Sequence, residues 1–242
     1  MRNPLSFLLV SSCFSLLTAL FLSSAQALAD ASVEGSKRPY REGMSAAVIP
    51  IWQGTSAQLM DAFTTARDER IYRDPAHPGA RRAPWLFARN GCFARAAHVV
   101  HSLQKRGWQR PGKVFAFGPW ASMRLRTPYD EEGVVWWSFH VASAFRTPGN
   151  RILIFDASVE TSRPIPLEDW ISRIAPSPER LSISFCDANA YVPENTCIGG
   201  SQDQAAPMMS HMAGFLTEEW NAITKAGHDP EAVLLNSALT PF

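Results

Sequence analysis

Three segments of this sequence carry side chains that can do chemistry together: "RNGCFARAAHVVHSL" with Cys92, "VVWWSFHVASAF" with His140, and "RILIFDASV" with Asp156. A thiol attacks efficiently only as the thiolate, so it needs a base and a setting that favours the anion. An imidazole supplies the base, and a carboxylate on its far nitrogen fixes the tautomer and steadies the positive ring. In that arrangement Cys92 attacks an acyl carbon, His140 moves the proton and Asp156 orients the ring. Each residue also has a plainer reading. A free cysteine is often a small buried hydrophobe, a lone strand histidine a satisfied core residue, and an aspartate before Ala-Ser a turn or cap.

The cysteine count bears on the first of these choices. Arg2, the apolar run from Leu5 to Leu22 and Ala27-Leu28-Ala29 have the layout of a secretory signal peptide, with cleavage expected after Ala29. An uncleaved membrane anchor is the alternative, because the run approaches the length that spans a bilayer. Cleavage removes Cys13 and leaves three cysteines in an oxidising compartment, where thiols pair. Cys186 and Cys197 lie in the loop-like stretch "SFCDANAYVPENTCIGG", where a disulfide would pin the excursion. Cys92 is then the odd thiol. The expected location is the periplasm or the medium.

The elements around these residues follow from pattern. Residues 30–43 read as a short polar leader and 44–242 as a single catalytic domain with a C-terminal helical extension. Val48 to Trp52 reads as a short strand or an extended entry. Leu59, Met60 and Phe63 after Thr55 and Ser56 predict a helix over 56–70. Residues 72–84, "YRDPAHPGARRAP", read as an exposed loop. Asn90 is the expected N-cap of a helix that ends at Gly107 with Lys105 and Arg106 in its last turn. That cap places Cys92 in the first helical turn, where free N–H groups and the positive end of the helix dipole favour a thiolate.

After that helix, "KVFAFG", "VVWWSFHVASAF" and "RILIFDASV" are β-branched and aromatic runs bounded by turn residues, which predicts neighbouring antiparallel strands packed on the Cys92 helix. Both faces of "VVWWSFHVA" are apolar, as expected of a central strand. Alternation puts His140 on one face with Val134, Trp136, Ser138 and Ala142, and Asp156 on one face with Ile152 and Ile154. A buried imidazole and carboxylate on neighbouring strands are costly unless they meet.

"NGCFARAAHVV", "WWSFHVA" and "ILIFDASV", in that order, resemble the three catalytic segments of the bacterial protein-glutaminases. The resemblance implies an α+β fold, an antiparallel sheet packed on an N-terminal catalytic helix in a papain- and transglutaminase-like core. It further implies deamidation of glutamine side chains in proteins or peptides through a thioester, with Cys92 as nucleophile, His140 as base and Asp156 as orienting acid. No cofactor or metal is required by that chemistry. The partners implied are proteins or peptides with exposed glutamine, acted on by a monomer. Members of that family carry a long pro-region over the site, whereas only residues 30–43 stand ahead of the resembling part here. The stretch "QAAPMMSHMAGFLTEEWNAITKAG" has no counterpart in the resemblance and reads as an added amphipathic helix. Its Met208, Met212, Phe215, Leu216 and Trp220 are expected to pack on the core.

Other function classes find less support. The 23 basic residues lose Arg2 with the signal segment and become 22, against 22 acidic residues, which excludes the basic excess of a phosphate-neutralising nucleic-acid binder. No further apolar segment of spanning length follows, so no membrane association is expected after cleavage. His98 and His101 lie three apart without a spaced third ligand, and catalytic zinc needs three. Asp130-Glu131-Glu132 reads as a solvated turn, with substrate selection at a cleft as the alternative. Trp136, Trp137 and Asn90 stand open as oxyanion donors beside a structural reading of each. A transglutaminase or a papain-like protease would use the same triad. An exported interaction module with a buried, inert Cys92 is the non-catalytic alternative.

Overall fold

The computed structural model describes residues 49–191, 197 and 210–235. The signal segment, the polar leader and Met208 lie outside them. Helix α1 (Ser56–Asp68) begins as the sequence demands: Thr55 Oγ1 accepts from the Gln58 N–H at 3.3 Å, and Gln58 Oε1 accepts from the Thr55 N–H at 2.9 Å. These two bonds satisfy amides that a bare helix start leaves unpaired. Leu59, Ala62, Phe63 and Ala66 then form its buried stripe.

Residues 72–84 are not an exposed loop. They hold a hairpin, β1 (Tyr72–Asp74) and β2 (His77–Arg81), in which Asp74, Arg81 and Arg82 are buried. Asp74 closes the turn by accepting from the Ala76 N–H at 2.9 Å and from His77 Nδ1 at 2.7 Å. Proline and charge mark the turn correctly. What they do not reveal is that these charges find buried partners on a helix over 130 residues later.

Helix α2 (Cys92–Lys105) follows. Its N-cap is Gly91, not Asn90. Gly91 has φ +78°, and a Cβ there would meet the Phe215 ring at 3.1 Å, so only glycine fits without strain. Asn90 sits one position outside and accepts from the Gly91 N–H through its side-chain oxygen. The helix is buried almost throughout because Ala94, Ala96 and Ala97 let it lie close to the sheet, where Ser143 Oγ donates to the Ala96 carbonyl at 3.3 Å.

The strands are β3 (Gly112–Phe117), β4 (Met123–Arg126), β5 (Val134–Trp137), β6 (Phe139–Arg146), β7 (Ile152–Phe155), β8 (Ile165–Pro166) and β9 (Ser182–Cys186), with helix α3 (Leu167–Ile174) after β8. The main sheet is antiparallel in every pairing, in the order β8-β7-β6-β3-β9, so β6 is its centre. "VVWWSFHVASAF" is therefore two strands. It breaks at Ser138, whose carbonyl accepts from Gly118 N–H at 2.9 Å, and β5 pairs with β4 in a separate small sheet. The face expected to run from Val134 through His140 does not exist as one surface, because a break resets the two-residue alternation.

Both faces of the main sheet are covered. Val114, Ala116, Ala142, Ala144 and Ile154 pack with Trp137, Trp170 and the β4–β5 sheet. On the other side Phe145 and Phe155 pack with α1, α2 and the tail helix α4 (Met212–Lys225). Met212, Leu216 and Ile223 of α4 are buried, and Phe215 and Trp220 pack against the same cluster, as the amphipathic pattern predicts.

Candidate active site

Cys92 is the first residue of α2, and no side chain caps the free amides of that first turn. It is buried, at 9% exposure, in a small cluster with Ala96, Phe115, Phe117, Val141 and the Cys186–Cys197 disulfide, and it is the free thiol among the described cysteines. Burial alone pushes the Cys92 thiol up. The His140 ring, the Arg95 guanidinium and the Val141 backbone N–H outweigh it and hold the thiol below its ordinary value. Arg95 is one turn along the helix, and its Nη1 donates to the carbonyls of Phe87 and Asn90 at 2.8 and 2.7 Å. One buried cation thus fixes the approach to α2 and lies close to the sulfur.

His140 stands near the start of β6, fully buried. Its Nε2 meets Asp156 Oδ2 at 2.7 Å. Nδ1 has no oxygen or nitrogen partner among the described residues and is the nitrogen left for the Cys92 thiol. Burial opposes a charge on the ring, yet the Asp156 carboxylate and the Cys92 sulfur raise its pKa to about 9. Trp137 stacks on the ring with centroids 4.2 Å apart and planes at 10°, which limits its rotation.

Asp156 follows β7 directly. The β6–β7 register pairs Ala144 with Ile154 and Ser143 with Phe155, so the next step on the Ile154 face brings Asp156 beside Ala142, diagonal to His140. Its Oδ2 also accepts from Trp170 Nε1 at 2.9 Å, and its Oδ1 accepts from the Ser158 N–H and hydroxyl. Burial pushes this carboxyl up, but the His140 charge and these donors hold it far below the usual carboxylate range.

The three residues singled out from sequence are therefore brought together, in the order sulfur, imidazole, carboxylate. Residues 59–174, which contain all three, match a family model described as glutaminase. This region is similar to the glutaminase family over a little under half of the 242-residue chain. A solved crystal structure of a protein-glutaminase superposes with a TM-score of 0.50 at 18% identity, over 68% of this chain and 90% of that one. A pro-protein-glutaminase structure gives 0.45 at 20% identity, over 63% and 54%. The NMR structure of protein-glutaminase from Chryseobacterium proteolyticum gives 0.43 at 19% identity, over 57% and 74%. No curated protein matches the chain. At 18% identity the first likeness is one of fold, and that fold is α+β.

The same region also corrects several sequence expectations. Trp137 Nε1 donates to the Ala88 carbonyl at 2.9 Å, so its N–H is not an open oxyanion donor. Trp136 turns outward under the Arg124 guanidinium. His98 uses both nitrogens within the fold, with Tyr72 Oη at 2.7 Å and the Ala66 carbonyl at 2.8 Å, while His101 is exposed, so the pair shares no metal position. Burial drives the His98 pKa down to about 4. Asp130 is not solvated: Arg89 Nε and Nη2 donate to its carboxylate at 2.5 and 2.9 Å. Trp170 and Arg95 escaped sequence reading. "PLEDWISRI" shows an amphipathic helix with tryptophan on its apolar side, but only α3 packing on the sheet aims the indole N–H at Asp156. Ser158 is legible as the third residue of an Asp-x-Ser turn.

Proposed function

We propose that this protein hydrolyses the side-chain carboxamide of glutamine in proteins and peptides to glutamate and ammonia, with Cys92 as nucleophile, His140 as proton carrier and Asp156 as the acid that orients His140. The observation that carries this reading is the buried relay in a region similar to the glutaminase family, with Nε2 of His140 on Asp156 at 2.7 Å and Nδ1 left for the Cys92 thiol. The thiolate adds to the carboxamide carbon, and the oxygen gains charge where the uncapped first-turn amides of α2 offer donors. The imidazolium gives its proton to the departing nitrogen, the C–N bond breaks, and ammonia leaves a thioester on Cys92. The neutral imidazole then takes a proton from water as the hydroxide oxygen adds to the thioester carbon. Collapse breaks the C–S bond, releases glutamate and restores the thiolate–imidazolium pair.

The working form is the monomeric product of cleavage after Ala29, one catalytic domain over residues 44–242, acting in the periplasm or the medium. The Cys186–Cys197 disulfide supports an oxidising location. Among the described residues no helix is long and apolar enough to cross a membrane.

Purified mature chain mixed with a glutamine-rich protein tests the activity, read by ammonia release and intact mass. The expected result is ammonia with a gain of about one mass unit per event, reduced by at least about 10³-fold in Cys92→Ala. Ammonia accompanied by lysine-linked products would indicate amine transfer instead. A rate indifferent to Cys92→Ala would overturn the assignment.

A further inference from the structure

A cleft of about 580 Å³ opens beside the first turn of α2, lined by Asn90, Trp120, Val134, Trp136, Phe215 and Glu218 among others. Two of these residues are chain neighbours of the relay. Asn90 stands two positions before Cys92, and Trp136 adjoins Trp137, whose ring stacks on His140. Because successive residues of β5 face opposite sides, the inward Trp137 requires an outward Trp136. Trp120 is 74% exposed and Trp136 36% exposed. Two indoles open to water on one cleft are apolar area that a ligand can cover, and tryptophan is enriched where binding energy concentrates.

The charge around this cleft is uneven. Arg89, on its wall, is held by Asp130 and lies 3.4 Å from Glu132. A smaller hollow of about 290 Å³ shares Phe87, Arg89 and Glu218 with it and adds Asp130, Glu131 and Lys225. Lys225 is itself paired with Glu131 at 2.7 Å. Across both hollows four lining carboxylates face two lining cations, each cation already paired, while a third cation, Arg124, lies over the Trp136 ring at 5.6 Å from its centroid. Glu218 has no ion-pair partner among the described residues, and it borders both. In a chain whose total charge is close to zero, this is a local excess of negative charge.

We propose that this cleft binds the stretch of substrate polypeptide flanking the target glutamine and favours a lysine or arginine next to it. Such a side chain has the two parts that the cleft has: an apolar stem that covers the exposed indoles of Trp120 and Trp136, and a cation that reaches Glu218. Glu218 and Trp136 are then specificity determinants of the hydrolysis proposed above, on which this inference rests.

The test is kcat/KM for ammonia release from three blocked heptapeptides, each with one central glutamine, that differ only in a flanking lysine, serine or glutamate. At low salt the lysine peptide is expected to exceed the glutamate peptide by about 5-fold, with the gap narrowing as ionic strength rises. Glu218→Gln brings the lysine-to-glutamate ratio toward one, and Glu218→Lys inverts it. Trp136→Ala raises KM for the lysine peptide. Equal rates on all three peptides, or a ratio unmoved by both Glu218 variants, overturns the inference and leaves the glutaminase reading standing. Ammonia from none of the three overturns the glutaminase reading itself, and the inference with it.

Discussion

The charge on the Cys92 sulfur is decided by a contest between burial, which disfavours it, and His140, Arg95 and the Val141 amide, which favour it and win. His140 shifts the other way, up to about 9, so the two shifts together favour the thiolate–imidazolium pair over the neutral pair. Alkylation of native Cys92 by iodoacetamide is therefore expected to stay fast below the ordinary thiol midpoint of about 8.5, and His140→Ala to move its midpoint up; intact mass against pH measures both. Ammonia release falls as pH rises through about 9, where the ring no longer carries the proton that the leaving nitrogen needs. The stability sign agrees. A histidine raised from about 6.5 contributes stability that is full below that value and is lost as pH climbs through about 9. Asp156, held low, contributes stability present above about 3.9 and lost as pH falls through its depressed value. Trp170 donates to Asp156 and stacks on the His140 ring with centroids 5.8 Å apart, so it acts through both and is a positioning residue. Trp170→Phe is expected to lower kcat about 10-fold with KM nearly unchanged and to move the acid limb of the pH profile upward, since the carboxylate loses a donor. A variant that changed KM instead would contradict that role. Cys92, His140 and Asp156 were legible as candidates in sequence because each stands in or beside a strongly patterned element. Trp170 and Arg95 were not, because what matters about them is a contact made by packing.

Elements far apart in the chain hold the entry to α2 in place. Arg81 on β2 donates from Nη2 to Glu219 of α4 at 2.7 Å, and the other Glu219 oxygen accepts from the Leu86 N–H at 2.8 Å, five residues before Gly91. All three groups are buried, so an unmatched partner has no water to turn to. Glu219→Ala leaves Arg81 with only its longer 3.4 Å contact to Asp74, strands the buried Leu86 N–H, and is expected to destabilise the protein by about 3–5 kcal/mol in denaturant unfolding. Glu219→Gln keeps the shape and an acceptor for Leu86, so its loss should be smaller. Alkylation of native Cys92 should slow in step with it as the 82–91 segment loosens, and an unchanged alkylation rate in a destabilised Glu219→Gln protein would show that α4 braces the fold without positioning the thiol. The sequence announced α4 through Met212, Leu216 and Trp220 at helical spacing. It also announced the chemistry of the β1–β2 turn, yet as a loop, because Asp74 and Arg81 look solvent-seeking until Thr217 and Glu219 supply their partners. The split of "VVWWSFHVASAF" was hidden for a related reason. Ser138 breaks no local pattern, and only the Gly118 amide paired to its carbonyl shows where one sheet ends and another begins.

At the scale of the whole molecule, the three described cysteines form one disulfide and one free thiol, although all three share a single apolar cluster with Phe115 and Val141. The five-stranded sheet separates them in function: Cys186 ends β9 on its edge, while Cys92 approaches β6 at its centre from α2. The pairing was readable from sequence by counting, whereas the closeness of the third sulfur was not, since nothing in "NGCFARAA" points to β9. The disulfide closes a short loop, an 11-residue separation, and in the chain-entropy account such a closure is worth about 2–3 kcal/mol. A Cys186→Ala, Cys197→Ala protein is therefore expected to lose about that much unfolding free energy while still releasing ammonia at the same pH optimum, because the hydrogen bonds that hold His140 run through Asp156 and Trp170. Native, unreduced protein should take one alkyl adduct per mature chain, lost in Cys92→Ala, and two more only after reduction under denaturing conditions. If instead the single native adduct fell on Cys186 or Cys197, Cys92 would be paired with the other of the two, and oxidation would switch the enzyme off rather than staple it.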